Sequence, residues 1–599
     1  MELERHIEDY ALIGDTQSVA LVGRSGSIDW LCLPRFDSAA CFAALLGGRE
    51  QGQFSICPVG DARVTRRYRG DTLILETDFE TDSGRVRLVD SMPIRGKYPD
   101  VVRIIQGLSG EVAMRVELTI RFDYGNVLPW VQRLDGRLHA IAGPDALVLV
   151  TPVKMRGEGF HTIADVTVRA GQEVPFVLTW HPSHEPPPET AEPFSSLAET
   201  EQWWTEWTSA HAIYGPYRAI TIRSLLTLKA LTYAPTGAIV AAGTTSLPES
   251  IGGERNWDYR FAWLRDATFT LYALMHAGYT EEAKAWRDWL LRAVAGDPAK
   301  LQPLYGPAGE RRMTEQTLEW LPGFAGSRPV RIGNNAAHQY QLDIYGEVLD
   351  TLHQGRRMGL GTDENAWAVQ RAIADWLETH WDVPDQGLWE MRGTPRHFVH
   401  SKVMAWVAFD RLVKAIEQQG LEGPVDRWRH TRAEIHDEVC RRGFDPDLGS
   451  FTQSYGSKEL DASLLLIPSV GFLPKDDPRV RGTIEAVERR LVRGGFVARY
   501  LTSDAMNIDG LIGREGAFIA ASFWLVDALA LIGRQDDARA LFEQTIALAN
   551  DVGLLSEEYD VDRKQLIGNF PQAFSHVAVV NSALALGGRT ALPLARHDT

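Results

Sequence analysis

At 599 residues the chain exceeds what one compact core holds, so two or more domains are expected. Its 44% hydrophobic and 24% charged content is that of ordinary globular material. A formal charge of −17 excludes a polyanionic partner such as nucleic acid, whose binding needs a basic surface that releases counterions; a neutral ligand suits the chain better.

The first ten residues carry Glu2, Glu4, Glu8 and Asp9, the opposite of a basic leader followed by an apolar run, and a cytoplasmic location is expected. No apolar run approaches the roughly 20 residues of a bilayer span, so no membrane partner is expected. Even 517–532 is broken by Ser522 and Asp527. Cys32, Cys41, Cys57 and Cys440 lack the close paired spacing of a zinc site and read as reduced thiols.

From residue 50 to about 180 the sequence alternates between short β-rich runs and turn residues, as at 72–76, 86–90, 101–106, 112–122, 146–150 and 176–180. Val112, Met114, Val116, Leu118 and Ile120 alternate with polar or small residues, the period of a strand with one buried face. An antiparallel β-sandwich is predicted over 1–195. Pro186, Pro187 and Pro188 and the polar stretch after them predict a domain boundary, with a linker and helical connector taken as 196–215. Residues 216–599 then read as about a dozen amphipathic helices, starting near Tyr217, Trp263, Glu281, Asn334, Asp363, Phe398, Val425, Asp461, Pro478, Glu515, Asp536 and Pro571. Periodicity alone does not choose between a solenoid and a closed ring, although no fixed-period repeat favours the solenoid.

Three loops concentrate polar and aromatic residues beyond what turns require. In the first, Glu254 to Asp266, the pair Arg265 and Asp266 reads either as a helix cap with a local ion pair or as a bidentate grip on adjacent sugar hydroxyls. Trp257 and Trp263 are either core or stacking platforms for a pyranose. In the second, Gly387 to Gly393, Glu390 lies between Trp389 and Met391, a setting that raises a carboxyl's pKa by desolvation as an acid catalyst near neutrality needs. His397 and His400 nearby lack a third ligand at sensible spacing, so no metal is expected. In the third, Glu557 and Glu558 are either polar surface or face a cleft. Two carboxyls from separate loops are what glycoside hydrolysis uses, and the inverting reaction leaves roughly 6.5 to 9.5 Å between them for water. Nucleotide-binding and serine-hydrolase motifs are missing.

On these residues the chain resembles glycoside hydrolase family 15, which groups glucoamylases, glucodextranases and one class of bacterial trehalases. The opening 7–15, the stretch 26–38, Asn256 to Asp266, Gly387 to Gly393, His400 to Trp406 and Gly568 to His576 carry the resemblance, which spans nearly the whole chain and lies nearest the bacterial trehalase-like branch. It implies an N-terminal β-sandwich followed by an (α/α)6 barrel. It implies Glu390 as general acid and Glu557, rather than Glu558, as general base, with Arg265 and Asp266 on the non-reducing glucose. Arg331 and Asn335 in 327–335 resemble a further substrate loop, and Trp389, Arg392 and Glu558 complete the expected substrate-binding set. Fungal glucoamylases carry a second acidic residue after the acid; Met391 and Arg392 stand here instead, which leaves room for a leaving sugar other than starch.

The expected activity is therefore an inverting, exo-acting α-glucosidase that releases β-glucose and needs no cofactor. Trehalose is the first-choice substrate, and malto- or isomalto-oligosaccharides are the alternatives. A sugar phosphorylase would dispense with Glu557 as base, and a non-catalytic carbohydrate-binding relic would not retain both glutamates.

Overall fold

The computed structural model describes residues 5–361, 364–503 and 507–587. Among them, fifteen strands between Tyr10 and Pro182 form two antiparallel sheets that share one long strand, Asp100–Thr119. Its first half pairs with Gly84–Ser91 and Glu173–Pro182, its second with Gln53–Pro58 and His161–Arg169. The predicted alternation holds there: Val112, Met114, Val116 and Leu118 are buried while Ala113 and Arg115 are exposed. The inner faces meet where Phe54 and Phe176 pack edge to face, ring centroids 6.2 Å apart.

The predicted connector contains a helix. α1 (Pro193–Ser209) starts on a proline, and Glu192 caps it by accepting from the Ser195 amide. Its Trp207 stacks on Tyr279 at 4.3 Å, so it wedges between sandwich and barrel. Among the described residues eleven α-helices follow: α2 (Arg218–Ala230), α3 (Ala267–Ala277), α4 (Thr280–Val294), α5 (Asp343–Arg357), α6 (Glu364–Leu377), α7 (Val399–Gln419), α8 (Val425–Arg442), α9 (Pro478–Leu491), α10 (Ile519–Leu531), α11 (Gln535–Ile546) and α12 (Ala573–Leu586). A 3-10 segment, Ala462–Leu466, lies between α8 and α9.

The ring is closed. α3, α5, α7, the 3-10 segment, α10 and α12 pack each on the next, and α12 returns to α3; α2, α4, α6, α8, α9 and α11 lie outside them. Residue chemistry sorts the two layers. α10 is buried at every position from Ile519 to Val526, whereas α9 buries one face through Val480, Ile484, Val487 and Leu491. Six inner and six outer elements make the (α/α)6 barrel.

Helix starts near Tyr217, Glu281, Phe398, Val425 and Pro478 fall within two residues of those predicted. Those expected at Trp263, Asn334 and Glu515 come later, at Ala267, Asp343 and Ile519, because the residues before them form short strands and turns around the site. Asp461 caps the 3-10 segment through the Ser463 amide instead of opening an α-helix. The start expected at Asp363 lies outside the described residues. No described helix is long and apolar enough to cross a membrane.

The sandwich also holds the barrel's first loop. Arg260 pairs with Asp258 at 2.6 Å and donates to the Ser38 carbonyl at 2.9 Å, and Trp30 Nε1 donates to the Gly243 carbonyl at 2.7 Å. The hairpin of Thr245–Pro248 and Asn256–Asp258 is thus fastened from both domains.

Candidate active site

A hollow opens among these loops, walled by residues that include Glu249, Trp257, Tyr259, Arg265, Glu390 and Arg499. Glu390 sits in a tight turn, its amide bonded to the Gly387 carbonyl at 3.1 Å. Its φ of 59° lies in the left-handed region, where a non-glycine residue is strained, and such strain collects at functional sites. Asp385 holds the turn in place by accepting from the amides of Leu342 and Gly387 and from the Ser401 hydroxyl, at 3.0, 3.1 and 2.8 Å. Trp263 Nε1 donates to Glu390 Oε1 at 2.5 Å, and Arg265 Nη1 stands 3.8 Å from the same oxygen. Burial raises the Glu390 pKa against the pull of Arg265 and Trp263.

Glu557 approaches from a three-stranded sheet of Ala517–Phe518, Glu558–Asp560 and Gln565–Ile567. Tyr259 donates its hydroxyl to Glu557 Oε1 at 2.7 Å, while Oε2 is buried and meets no donor among the described residues. A side chain at position 568 would place its Cβ 2.8 Å from that oxygen, so Gly568, with φ 77°, keeps the approach open. Burial and then the Glu249 carboxylate push Glu557 up to about 8, with Arg499, Tyr259 and Arg265 opposing. The two glutamates reach one corner: Glu390 binds Trp263, Glu557 binds Tyr259, and those rings pack edge to face with centroids 5.2 Å apart.

Glu558 points elsewhere. Its Oε2 accepts from the Gly516 amide at 2.9 Å, and its Oε1 lies 3.3 Å from Arg499 Nη2. Arg499 also pairs with Glu249 and Glu515, at 2.8 and 2.7 Å. The Glu249, Glu515 and Glu558 carboxylates have oxygens within 4.8 Å of one another, spacing that would suit a cation; the Arg499 guanidinium bonded among them already supplies positive charge there.

Other predicted residues are distributed as follows. Asp266 stands at the N-cap of α3 but its side chain makes no capping bond; it accepts from Arg265 Nε at 2.8 Å. Trp263, read as either core or stacking platform, is 2% exposed and gives its indole N–H to Glu390. Trp389 lines the hollow and donates to Asp461 at 2.8 Å. Trp257 also lines it, with the guanidiniums of Arg392 and Arg331 over its ring at 4.1 and 4.5 Å. Arg392 lines the hollow, whereas Arg331 is turned to the carbonyls of Glu254 and Asn256. Asn335 is exposed outside the wall and its buried neighbour Asn334 takes the lining place, because the turn at Gly333 directs the first asparagine inward. Tyr259, Glu249, Arg255, Arg499, Tyr500 and Asp509 were not singled out by sequence. Of these, Tyr259 and Arg255 lie inside the first polar loop, where their residue types were a usable signal.

The model of the glycosyl hydrolases family 15 matches residues 215–584, more than half of the chain, and a trehalase-like N-terminal model matches 2–203. The chain belongs to glycosyl hydrolases family 15. This family 15 hydrolase is 38% identical over 612 residues to a trehalase of Mycobacterium tuberculosis (strain ATCC 25618 / H37Rv), covering 96% of this chain and 89% of the relative. It is 36% identical over 571 residues to a trehalase of Thermoplasma acidophilum (strain ATCC 25905 / DSM 1728 / JCM 9062 / NBRC 15155 / AMRC-C165), covering 94% and 97%. Among solved structures, a bacterial glucoamylase complexed with acarbose matches with a TM-score of 0.74 at 13% identity, over 99% of this chain and 95% of that one, which shows the shared fold of the family 15 hydrolase.

Proposed function

We propose that this hydrolase cleaves α,α-trehalose by single displacement, with Glu390 as general acid and Glu557 as general base. One observation carries the reading: two buried carboxyls, delivered by separate loops, converge on the corner formed by Trp263, Tyr259 and Arg265. Glu390 gives its proton to the glycosidic oxygen. Glu557, oriented by Tyr259 through Oε1, directs Oε2 to a water that attacks the opposite face of the anomeric carbon. Arg265 and Asp266 hold the glucose being released, and the Arg265 charge favours the ionised form of Glu557, which takes a proton from the attacking water and later gives it up to solvent. The trehalase relatives, matched along nearly their whole length, support trehalose over a malto- or isomalto-oligosaccharide.

The same reading takes 1–195 as the sandwich domain, 196–215 as the connector and 216–599 as the catalytic barrel. It also places the protein in the cytoplasm, where four unpaired cysteines suit a reducing compartment.

Proton NMR of the first turnovers tests the mechanism. Inversion at one of the two linked carbons of trehalose releases equal amounts of β- and α-glucose, whereas retention releases α-glucose alone; initial α-glucose alone overturns the scheme. A panel of α-linked disaccharides tests the substrate, with trehalose expected to have the highest kcat/KM.

A further inference from the structure

On the proposed reading, the glycosidic oxygen lies against Glu390, so the hollow has two ends: glucose is held at the Arg265 end and the leaving sugar fills the other. Exposure orders them. The side chain of Arg265 is 12% exposed and that of Arg392 is 31% exposed, which puts Arg392 at the mouth. The wall there is Trp257 with the guanidiniums of Arg392 and Arg331 over its ring. Two cations against one ring repel each other, and a long arginine at a mouth has rotamer freedom that blurs recognition.

Both problems meet at Glu315, which no motif marks. Its Oε2 accepts from Arg392 Nη2 at 2.9 Å, and its Oε1 from Nη1 at 3.4 Å and lies 3.6 Å from Arg331 Nε. Oε2 also accepts from the Asn335 amide at 3.2 Å, which ties the carboxylate to the loop beside the hollow. The local chain explains its place. Gln316–Thr317 pairs with Arg331–Ile332, and at Gly333 a Cβ would stand 2.1 Å from the Thr314 carbonyl, so only glycine lets the two segments close and bring Glu315 over.

We propose that Glu315 is a positioning residue of the leaving-sugar site. It fixes Arg392 against Trp257 so that the guanidinium's remaining N–H groups meet the hydroxyls of the second glucose. Arginine has five N–H donors, and Glu315 engages two of the groups that carry them, leaving donors for a polyol. A wall held in one shape separates leaving sugars by the hydroxyls they present, and a glucose joined through its anomeric carbon presents a different set from one joined through its 4-hydroxyl. The proposal rests on the α-glucosidase reading above.

The test compares trehalose with α-glucosyl fluoride, whose leaving group is not a sugar and makes no use of this wall. For Glu315→Gln and Glu315→Ala, kcat/KM on trehalose is expected to fall about tenfold or more, mainly through KM, while the fluoride is hydrolysed within about twofold of wild type. Adding Glu315→Ala to Arg392→Ala is expected to cost little beyond Arg392→Ala alone, because both act through one guanidinium. Parallel losses on both substrates, no loss on trehalose, or additive costs in the double variant each overturn the proposal. If wild type hydrolyses the fluoride, the α-glucosidase reading stands whatever the variants do; if it hydrolyses neither substrate, both readings fall together.

Discussion

Glu390 and Glu557 are both carboxyls raised above their ordinary pKa, but by different surroundings. Around Glu390 burial is opposed by Arg265, Trp263 and Arg392 and reinforced by the nearby Asp266. Around Glu557 burial is reinforced by a like charge, Glu249, whose own partner Arg499 is shared with Glu515 and Glu558. The side chain of the first keeps 18% of its surface open, while residue 557 as a whole keeps 1%. Burial is the largest cause at both carboxyls, and a proton on Glu557 answers in addition to the charge balance of the cluster formed by Glu249, Arg499, Glu515 and Glu558. Glu557 can therefore be tuned through Glu249 without touching its own side chain.

The strongest way to break this comparison is to remove each carboxylate's chemistry while keeping its shape. Glu390→Gln and Glu557→Gln are each expected to lose about a thousandfold in kcat with far-UV circular dichroism unchanged; near-normal turnover by either removes its assigned role.

A smaller effect sharpens the contrast. On the proposed mechanism the base works ionised, so activity rises as pH rises through the Glu557 pKa, which Glu249 holds up. Glu249→Gln removes that like charge and lowers the pKa, so the acid limb of kcat/KM is expected to move down by about one pH unit. An unmoved limb, or one moved up, contradicts the charge-balance account of Glu557.

The smallest effect concerns stability behind the acid. Asp343 at the start of α5 is fully buried, and neither of its oxygens meets a hydrogen-bond partner among the described residues. Burial and the nearby Asp385 push it up to about 7. A carboxyl whose pKa is higher in the folded state contributes stability that is present below its ordinary value near 4 and lost as pH rises to about 7. Asp343→Asn does not titrate, so its Tm is expected to exceed that of wild type by a few degrees more at pH 8 than at pH 4; a gap independent of pH refutes the assignment.

Much of the fold was legible because it depends on local periodicity. The alternation at residues 112–118 needed only the period of a strand, and the polar pattern of outer helices such as α9 needed only the period of a helix. The connector reads as helical, but the start of α1 at Pro193 was not legible, since it depends on a proline and a capping glutamate that also suit a linker. Within the site, the loops were recognisable but the directions of side chains were not. Trp263 is a residue type that suits a sugar platform, and only the fold shows its ring packed against Tyr259 and its N–H on Glu390. Arg499 stands in an unremarkable Val-Ala-Arg-Tyr stretch and acquires its place from three glutamates, the most remote of them Glu249.

The sequence by itself determined the two-part architecture, the helix and strand periods and the loops that bear the acids, because these follow from neighbours along the chain. Tertiary structure alone decided that the helices close into a ring, that Glu557 faces Tyr259 while Glu558 faces Arg499, and that Asn334 lines the hollow in place of Asn335. Adjacent residues on an extended backbone point opposite ways, and which of the two meets the hollow is set by the partners that other loops of the barrel pack against the segment.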